Sequence, residues 1–477
     1  MSSVKKEYIH YLIALIIGIV IWFALPASNG LTDIGVHVIA ILIPVLYLWL
    51  TTNTHWTCFL ALALLVMTQA MTANEVWAGS MGHFVVITVL AYMLLNICLK
   101  QTGVINKIAI WFVTRKFVQG RPYAFMAMFF ASNVIIGMFM DNLSLAVIYI
   151  GITGVLCEEI GVKKGDPFYT CMFTGVMWGN VILSIASPIA HALPNIIMGS
   201  AQAQLGITIT YGQWLIVGIP FAILCYAAIM LVVLIWRPDT TAFKNFDVEA
   251  VKKKYPPLDA RGKFSAFIFV LVVIFVLAPS ILKDVSPFFA YLNNIGVVIP
   301  ALLAIVVLAL VRMDGKPILN VPVAMKEVAW PPIIFAGTVS VFATPLSAEN
   351  TGISVWLGNV FSFVENLSPF AIVVVLMIFA IIMTNFLSNT VTMVLFFNIG
   401  VIVLANGNTN MGVFTIIISL AASMASLTPS AAVPSPLFFG PGHVTMKNTL
   451  KWNLIWLPIT FVILVIIFPI FSRVMSF

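Results

Sequence analysis

The sequence predicts an all-α polytopic membrane protein, and three observations carry that prediction. Of its 477 residues, 62% are hydrophobic and 8% charged, with a mean hydropathy of +1.11, so the chain lacks the polar residues of a water-facing surface. Apolar runs of about 20 residues, enough to cross a bilayer core of roughly 30 Å, recur along it. Prolines and polar clusters interrupt some of these runs in the middle, which backbone facing lipid does not tolerate.

The first run follows MSSVKKEYIH without a small-residue cleavage site after it, and reads as a retained helix rather than a signal peptide. Spans are expected at about 8–25, 34–50, 56–72 and 83–99. A basic amphipathic stretch, 100–121, leads to two apolar arms (122–162) around MDNLS. A long interrupted segment (167–200), a helix at 213–236 and a polar basic linker (237–263) follow. Helices are then expected at about 264–282, 294–311 and 330–347, and a second amphipathic stretch at 349–365. Apolar arms 369–405 surround LSNTV, and the chain continues with 411–440 and a last helix near 453–471.

Charge placement sets the topology. With a cytoplasmic N-terminus and both arm pairs as re-entrant hairpins, every Lys and Arg falls inside except Lys283 and Arg473. That is the positive-inside bias, and it predicts about eleven crossings, two hairpins and an outside C-terminus in a plasma or inner membrane. The same placement explains the net charge of +7 without nucleic acid. Cys58, Cys98, Cys157, Cys171 and Cys225 lack metal-ligand spacing and read as buried small apolar residues. His10, His37, His55, His83 and His443 lie near helix ends or loops and read as structural.

Four segments recur in order. KQTGVINKIAIW (100–111) matches ENTGISVWLGNV (349–360), and MDNLSLAVIYIG (140–151) matches LSNTVTMVLFFN (387–398). SPIAHALPNIIMG (187–199) matches TPSAAVPSPLFFG (428–440), and QWLIVGIP (213–220) matches KWNLIWLP (451–458). The offset drifts slowly from 249 to 238, as a duplication would leave it. The charge count puts one amphipathic stretch inside and the other outside, so the repeats are inverted, the architecture of alternating access. The organisation is an extra helix (1–33), a first repeat (34–236), the cytoplasmic linker and a second repeat (264–477). Pro188 and Pro194, and Pro429, Pro434 and Pro436, break spans at matching repeat positions. Unwound carbonyls there coordinate cations, and half-helix N-termini attract anions.

SNT at 388–390, the proline-rich break followed by FFGPGHVTMKNTLKWNL, and ITYGQWLIVGIP resemble the divalent anion/sodium symporter family. The likeness covers nearly the whole chain after the first helix. It implies a homodimeric elevator-type carrier of dicarboxylates, citrate or sulfate, with Na+ as the coupling ion, no organic cofactor and no enzymatic activity. Carried over by position, Asn389 would bind sodium through its side-chain oxygen, beside Thr384, Leu387, Ser388 and Ala431. Asn389 and Thr390 would hold a substrate carboxylate, with Ala432 and Pro434 lining the pocket. In the first half, Asn142 would do both jobs. Gly137, Asp141 and His191 would join it at the ion, and Leu143, Ser144, Ala192 and Pro194 at the anion.

The first tip departs from the pattern, because Asp141-Asn142-Leu143 stands where the second half has Ser388-Asn389-Thr390, and Leu143 cannot donate a hydrogen bond. A charge at the bilayer midplane costs roughly 2.5–3.5 kcal/mol on insertion scales, so Asp141 needs a compensating partner. Three readings stay open: Asp141 ligates sodium, it pairs with His191, or it caps a half-helix while His191 is a core histidine. The expected function is sodium-coupled transport of small anions, di- or tricarboxylates first. The alternatives are an anion exchanger, a proton-coupled carrier, a sodium/proton antiporter or an oxyanion exporter. The chain carries no nucleotide-binding loop and no HExxH sequence.

Overall fold

The computed structural model describes residues 3–52, 55–189, 191–283, 285–360, 367–404, 408–429 and 431–477. The end of the second amphipathic stretch (361–365), position 405 of the second hairpin, and positions 190 and 430 in the two breaks lie outside the described residues. Helices dominate; among the described residues the only strands are Arg312–Met313 and Lys316–Pro317, paired antiparallel. Asp314 (φ 52°) and Gly315 (φ 74°) make their turn, with both central residues left-handed as a tight hairpin requires.

By length and composition, six helices among the described residues can cross a bilayer: Glu7–Ala24, Ala73–Gln101, Asn142–Ile160, Tyr211–Trp236, Ala260–Leu282 and Met446–Val474. Two bent pairs add candidates: Pro287–Asn294 with Val298–Leu310 at 80°, and Val321–Glu327 with Trp330–Leu346 at 75°. The span expected at 294–311 is the helix Val298–Leu310, and the short helix Pro287–Asn294 joins it at the bend. The chain turns at Gly296, whose φ of +88° costs glycine nothing. The last helix starts earlier than expected, at Met446, where Thr445 accepts from the Asn448 backbone N–H. Elsewhere polar caps set the starts. Thr72 with Glu75 and Thr210 with Gln213 form reciprocal capping boxes, and Asp259 caps Ala260–Leu282.

Two helix pairs carry the polar tips. Pro122–Gly137 and Asn142–Ile160 flank the first, and Pro369–Thr384 and Asn389–Val403 the second. The interrupted segments stay interrupted. Pro167–Trp178 runs into a π turn at Gly179–Leu183 and a 3₁₀ turn at Ser184–Ala186, and the helix resumes at Ala192–Leu205. Met411–Ala422 ends in an irregular stretch before the short helix Ser435–Phe439. Pro194 and Pro436 sit in the first turns of the resumed helices, where a missing N–H costs least.

The packing crosses over between the halves. Ala192–Leu205 lies on Met411–Ala422 and on Asn389–Val403, and Ser435–Phe439 lies on Asn142–Ile160. Tyr211–Trp236 packs along Met446–Val474. Where the first break passes that helix, the Ala186 carbonyl comes so close to Gly218 that an added Cβ would sit 1.9 Å from the oxygen. Gly218→Ala is expected to destabilise the protein by about 1–3 kcal/mol, the usual cost of overpacking, read as a lower unfolding temperature in detergent. Gly154→Ala, with nothing within 4 Å of the added carbon, is the control that leaves that temperature unchanged.

Candidate functional site

At the second tip, the Thr384 hydroxyl lies within hydrogen-bond reach of two oxygens: Asn389 Oδ1 at 2.9 Å and the Ala422 carbonyl. Thr384 is fully buried and Asn389 is 9% exposed. A hydroxyl has one proton, so it satisfies one of these acceptors and leaves lone pairs converging on the same point. Three neutral oxygens sharing one proton away from water form a donor set for a hard cation. Ala422 offers its carbonyl because it ends the helix Met411–Ala422.

Asn385 fastens this tip to the break. Its amide donates to the carbonyls of Ile381 (2.7 Å) and Met424 (2.8 Å) and accepts from the backbone N–H groups of Ser426 and Leu427, each at 2.9 Å. Thr428 donates to its carbonyl at 2.5 Å. Asn453, from the last helix, accepts from Ser426 Oγ (2.8 Å) and Trp178 Nε1 (2.6 Å) and donates to the Ser426 carbonyl (3.1 Å). Trp178 stacks on Trp456 at 4.9 Å. One side chain thus joins the second break to the first broken helix.

The first tip is built differently. Asp141 caps Asn142–Ile160, accepting from the Ser144 N–H at 2.9 Å. The Asn142 carbonyl accepts from Asn180 in the π turn at 2.9 Å. His191 caps Ala192–Leu205, its Nδ1 accepting from the Leu193 N–H at 3.2 Å. Asp141 and His191 make no hydrogen bond or ion pair with each other among the described residues; each caps its own half-helix. Asn195 does for this break what Asn385 does for the second: it donates to the carbonyls of Pro188 (2.8 Å) and His191 (2.9 Å) and accepts from Tyr211 Oη (2.5 Å).

Both tips and both breaks face one cavity of about 700 Å³. Asp141, Asn142, Leu143, His191, Ala192, Leu387, Ser388, Asn389, Thr390 and Ala432 line it. Gly137, Ser144, Pro194, Thr384, Ala431 and Pro434 are not among the lining residues, and Pro429, Val433 and Pro436 hold the wall at the second break. The opposite wall comes from three other helices, through Trp49, Thr52, Val89, Met93 and Phe335 among others. The remaining histidines are structural where their contacts are described: His37 stacks on Trp22 at 3.8 Å, and His443 stacks on Phe173 at 4.3 Å.

A family model described as the sodium:sulfate symporter transmembrane region matches residues 5–476. The chain belongs to this sodium:sulfate symporter family. A sodium-dependent dicarboxylate transporter, SdcS, of Staphylococcus saprophyticus is 25% identical over 94% of this chain and 89% of its own length. SdcS of Staphylococcus aureus is 24% identical over 87% of this chain and 81% of its own. Among solved structures, the YdaH transporter of Alcanivorax borkumensis shares the fold at a TM-score of 0.56 and 13% identity, over 84% of this chain and 88% of that one. Membership in the sodium:sulfate symporter family makes the chain a multi-pass membrane transport protein rather than an enzyme.

The sequence missed four residues of this site. Ala422 contributes only its backbone, and Asn195, Asn385 and Asn453 are single polar residues beside or inside apolar runs. Asn385→Leu removes the amide's four bonds and leaves buried carbonyls and N–H groups unpaired. It is expected to destabilise the protein by about 3 kcal/mol or more, seen as loss of monodisperse protein after mild heating.

Proposed function

We propose that the chain is a secondary active transporter that moves small carboxylate anions together with sodium. The observation that carries this reading is the second tip, where Asn389 gives its Oδ1 to the oxygen cluster and lines the anion cavity beside Thr390. The helix Asn389–Val403 starts there without a side-chain cap, so its leading N–H groups remain for an anion. Relatives named as sodium-dependent dicarboxylate transporters, at about 25% identity, support the same ion and the same class of cargo.

The crossed packing of the two halves supports the inverted repeat, since each resumed half-helix lies on the other half's second arm. Under the charge-based topology, the cavity wall reaches the cytoplasmic ends of Asp33–Thr51, through Thr51 and Thr52, and of Trp330–Ser347, through Pro331 and Pro332. The arrangement is then inward-facing, with both cargoes released to the cytoplasm.

Purified protein in liposomes is expected to accumulate a labelled carboxylate when an inward sodium gradient is imposed. A proton gradient alone, or exchange alone, driving uptake would overturn the coupling. Thr384→Val is expected to raise the sodium concentration for half-maximal uptake about tenfold or more, a loss of roughly 1.4 kcal/mol. Asn389→Ala is expected to abolish uptake while the protein still elutes as a folded species. For the topology, a cysteine at Ala250 in a cysteine-free background is expected to react with an impermeant reagent only from the cytoplasmic face, and one at Ser476 only from the outer face.

A further inference from the structure

The two tips are repeats of one another, yet their chemistry differs at every position except the shared asparagine. Ser388 and Thr390 flank Asn389, whereas Asp141 and Leu143 flank Asn142. All six line the same cavity. Three consequences follow from the geometry.

The first concerns charge. A sodium ion at the second tip stands among neutral oxygens, so that end of the cavity carries one positive charge. A sodium ion bound at the first tip would stand beside the Asp141 carboxyl group, which would offset its charge. The second concerns the helix ends. Asn389–Val403 is uncapped and keeps its N–H groups available. Asn142–Ile160 is capped by Asp141, which takes the Ser144 N–H at 2.9 Å and places a negative charge at the positive end of the helix. The third concerns donors. Thr390 offers a hydroxyl, and its counterpart Leu143 offers none.

Two donor side chains remain at the first end, the Asn142 amide and the His191 ring. His191 is 7% exposed, lines the cavity and uses Nδ1 to accept from Leu193. The neutral ring that accepts through Nδ1 carries its proton on Nε2, and Nε2 has no partner among the described residues. The second end holds the matching group: the Nδ2 of Asn389, in a residue 9% exposed whose Oδ1 faces Thr384, has no partner among the described residues either. Donors therefore face the cavity at both ends, beside neutral oxygens at one and beside the Asp141 carboxyl group at the other.

We propose that the preferred cargo carries a single carboxylate, held at Asn389 and Thr390, and an uncharged hydrogen-bond acceptor at its far end, taken by His191. Asp141 and Leu143 set this preference by excluding a second carboxylate. The inference rests on the sodium-coupled carrier reading and narrows its substrate.

The test compares succinate with succinamate, which share a carbon skeleton and differ only in having a carboxylate or an amide at one end. The protein in liposomes under a sodium gradient is expected to take up succinamate at least about tenfold faster than succinate at equal concentration. The double variant Asp141→Ser with Leu143→Thr, which rebuilds the first tip in the image of the second, is expected to reverse that ranking. If it does not fold, Leu143→Thr alone is expected to narrow the ratio. Sodium-driven uptake of succinate or sulfate that equals or exceeds that of succinamate in the unaltered protein would overturn this inference and leave the carrier reading standing. So would an unchanged ratio in a folded variant. Absence of sodium-driven uptake for every anion offered would overturn both.

Discussion

A helix interrupted inside a bilayer exposes amide and carbonyl groups that lipid cannot satisfy, and this molecule interrupts two of them side by side. The structure meets the demand with asparagine. Asn195 holds the carbonyls of Pro188 and His191 in the first break, and Asn385 holds four backbone groups around the second. An amide side chain suits the task because it donates and accepts at once, so one residue replaces both halves of a missing backbone bond. Asn453 extends the arrangement between the halves, binding the second break and the Trp178 indole together. The tips are placed by this network, and the cavity exists because the breaks are held open rather than closed into continuous helix.

Within that frame the two halves have diverged. The second keeps neutral oxygens, a hydroxyl beside its asparagine and an uncapped helix start. The first has in their place a carboxyl group that caps its helix and a leucine, and a histidine caps the facing half-helix Ala192–Leu205. The cost of Asp141 in the membrane is offset partly by the N-terminus it caps, and a carboxylate has further lone pairs for a cation. Capping and cation binding are thus compatible uses of one side chain. A pair with His191 is a different use, and the structure instead places each residue on its own helix end.

The architecture was legible in the sequence where it rests on composition and period: long apolar runs, prolines within them, and four segments repeating in order. The tips at 138–141 and 385–388 were legible because polar residues interrupt hydrophobic arms. The Asp314-Gly315 turn carried an equally clear local signal that the reading passed over. What could not be read were partners chosen by tertiary contact. Asn453 meets Ser426 and Trp178 only after the chain has crossed the membrane, and Ala422 joins the oxygen cluster through a carbonyl that every residue possesses. The 80° bend falls at Asn293, Asn294 and Gly296, a local polar and glycine signal at the start of the expected span.

On the proposed function, Asn389 is where two cargoes become one transport event. Its Oδ1 faces the oxygen cluster and its Nδ2 is left for the cavity. On the proposed function, a cation drawing on Oδ1 fixes the plane of the amide and polarises its N–H bonds, so the anion meets an oriented and stronger donor. Coupling between two sites is reciprocal, so the anion returns the same free energy to the cation. The oxygens that share a single Thr384 proton are poorly satisfied alone, so the cation has most to gain by binding first. An anion arriving without it meets an amide that has not been oriented. A shared side chain of two rotatable bonds is therefore enough to bind the ion's entry to the anion's, without a signal that travels through the fold.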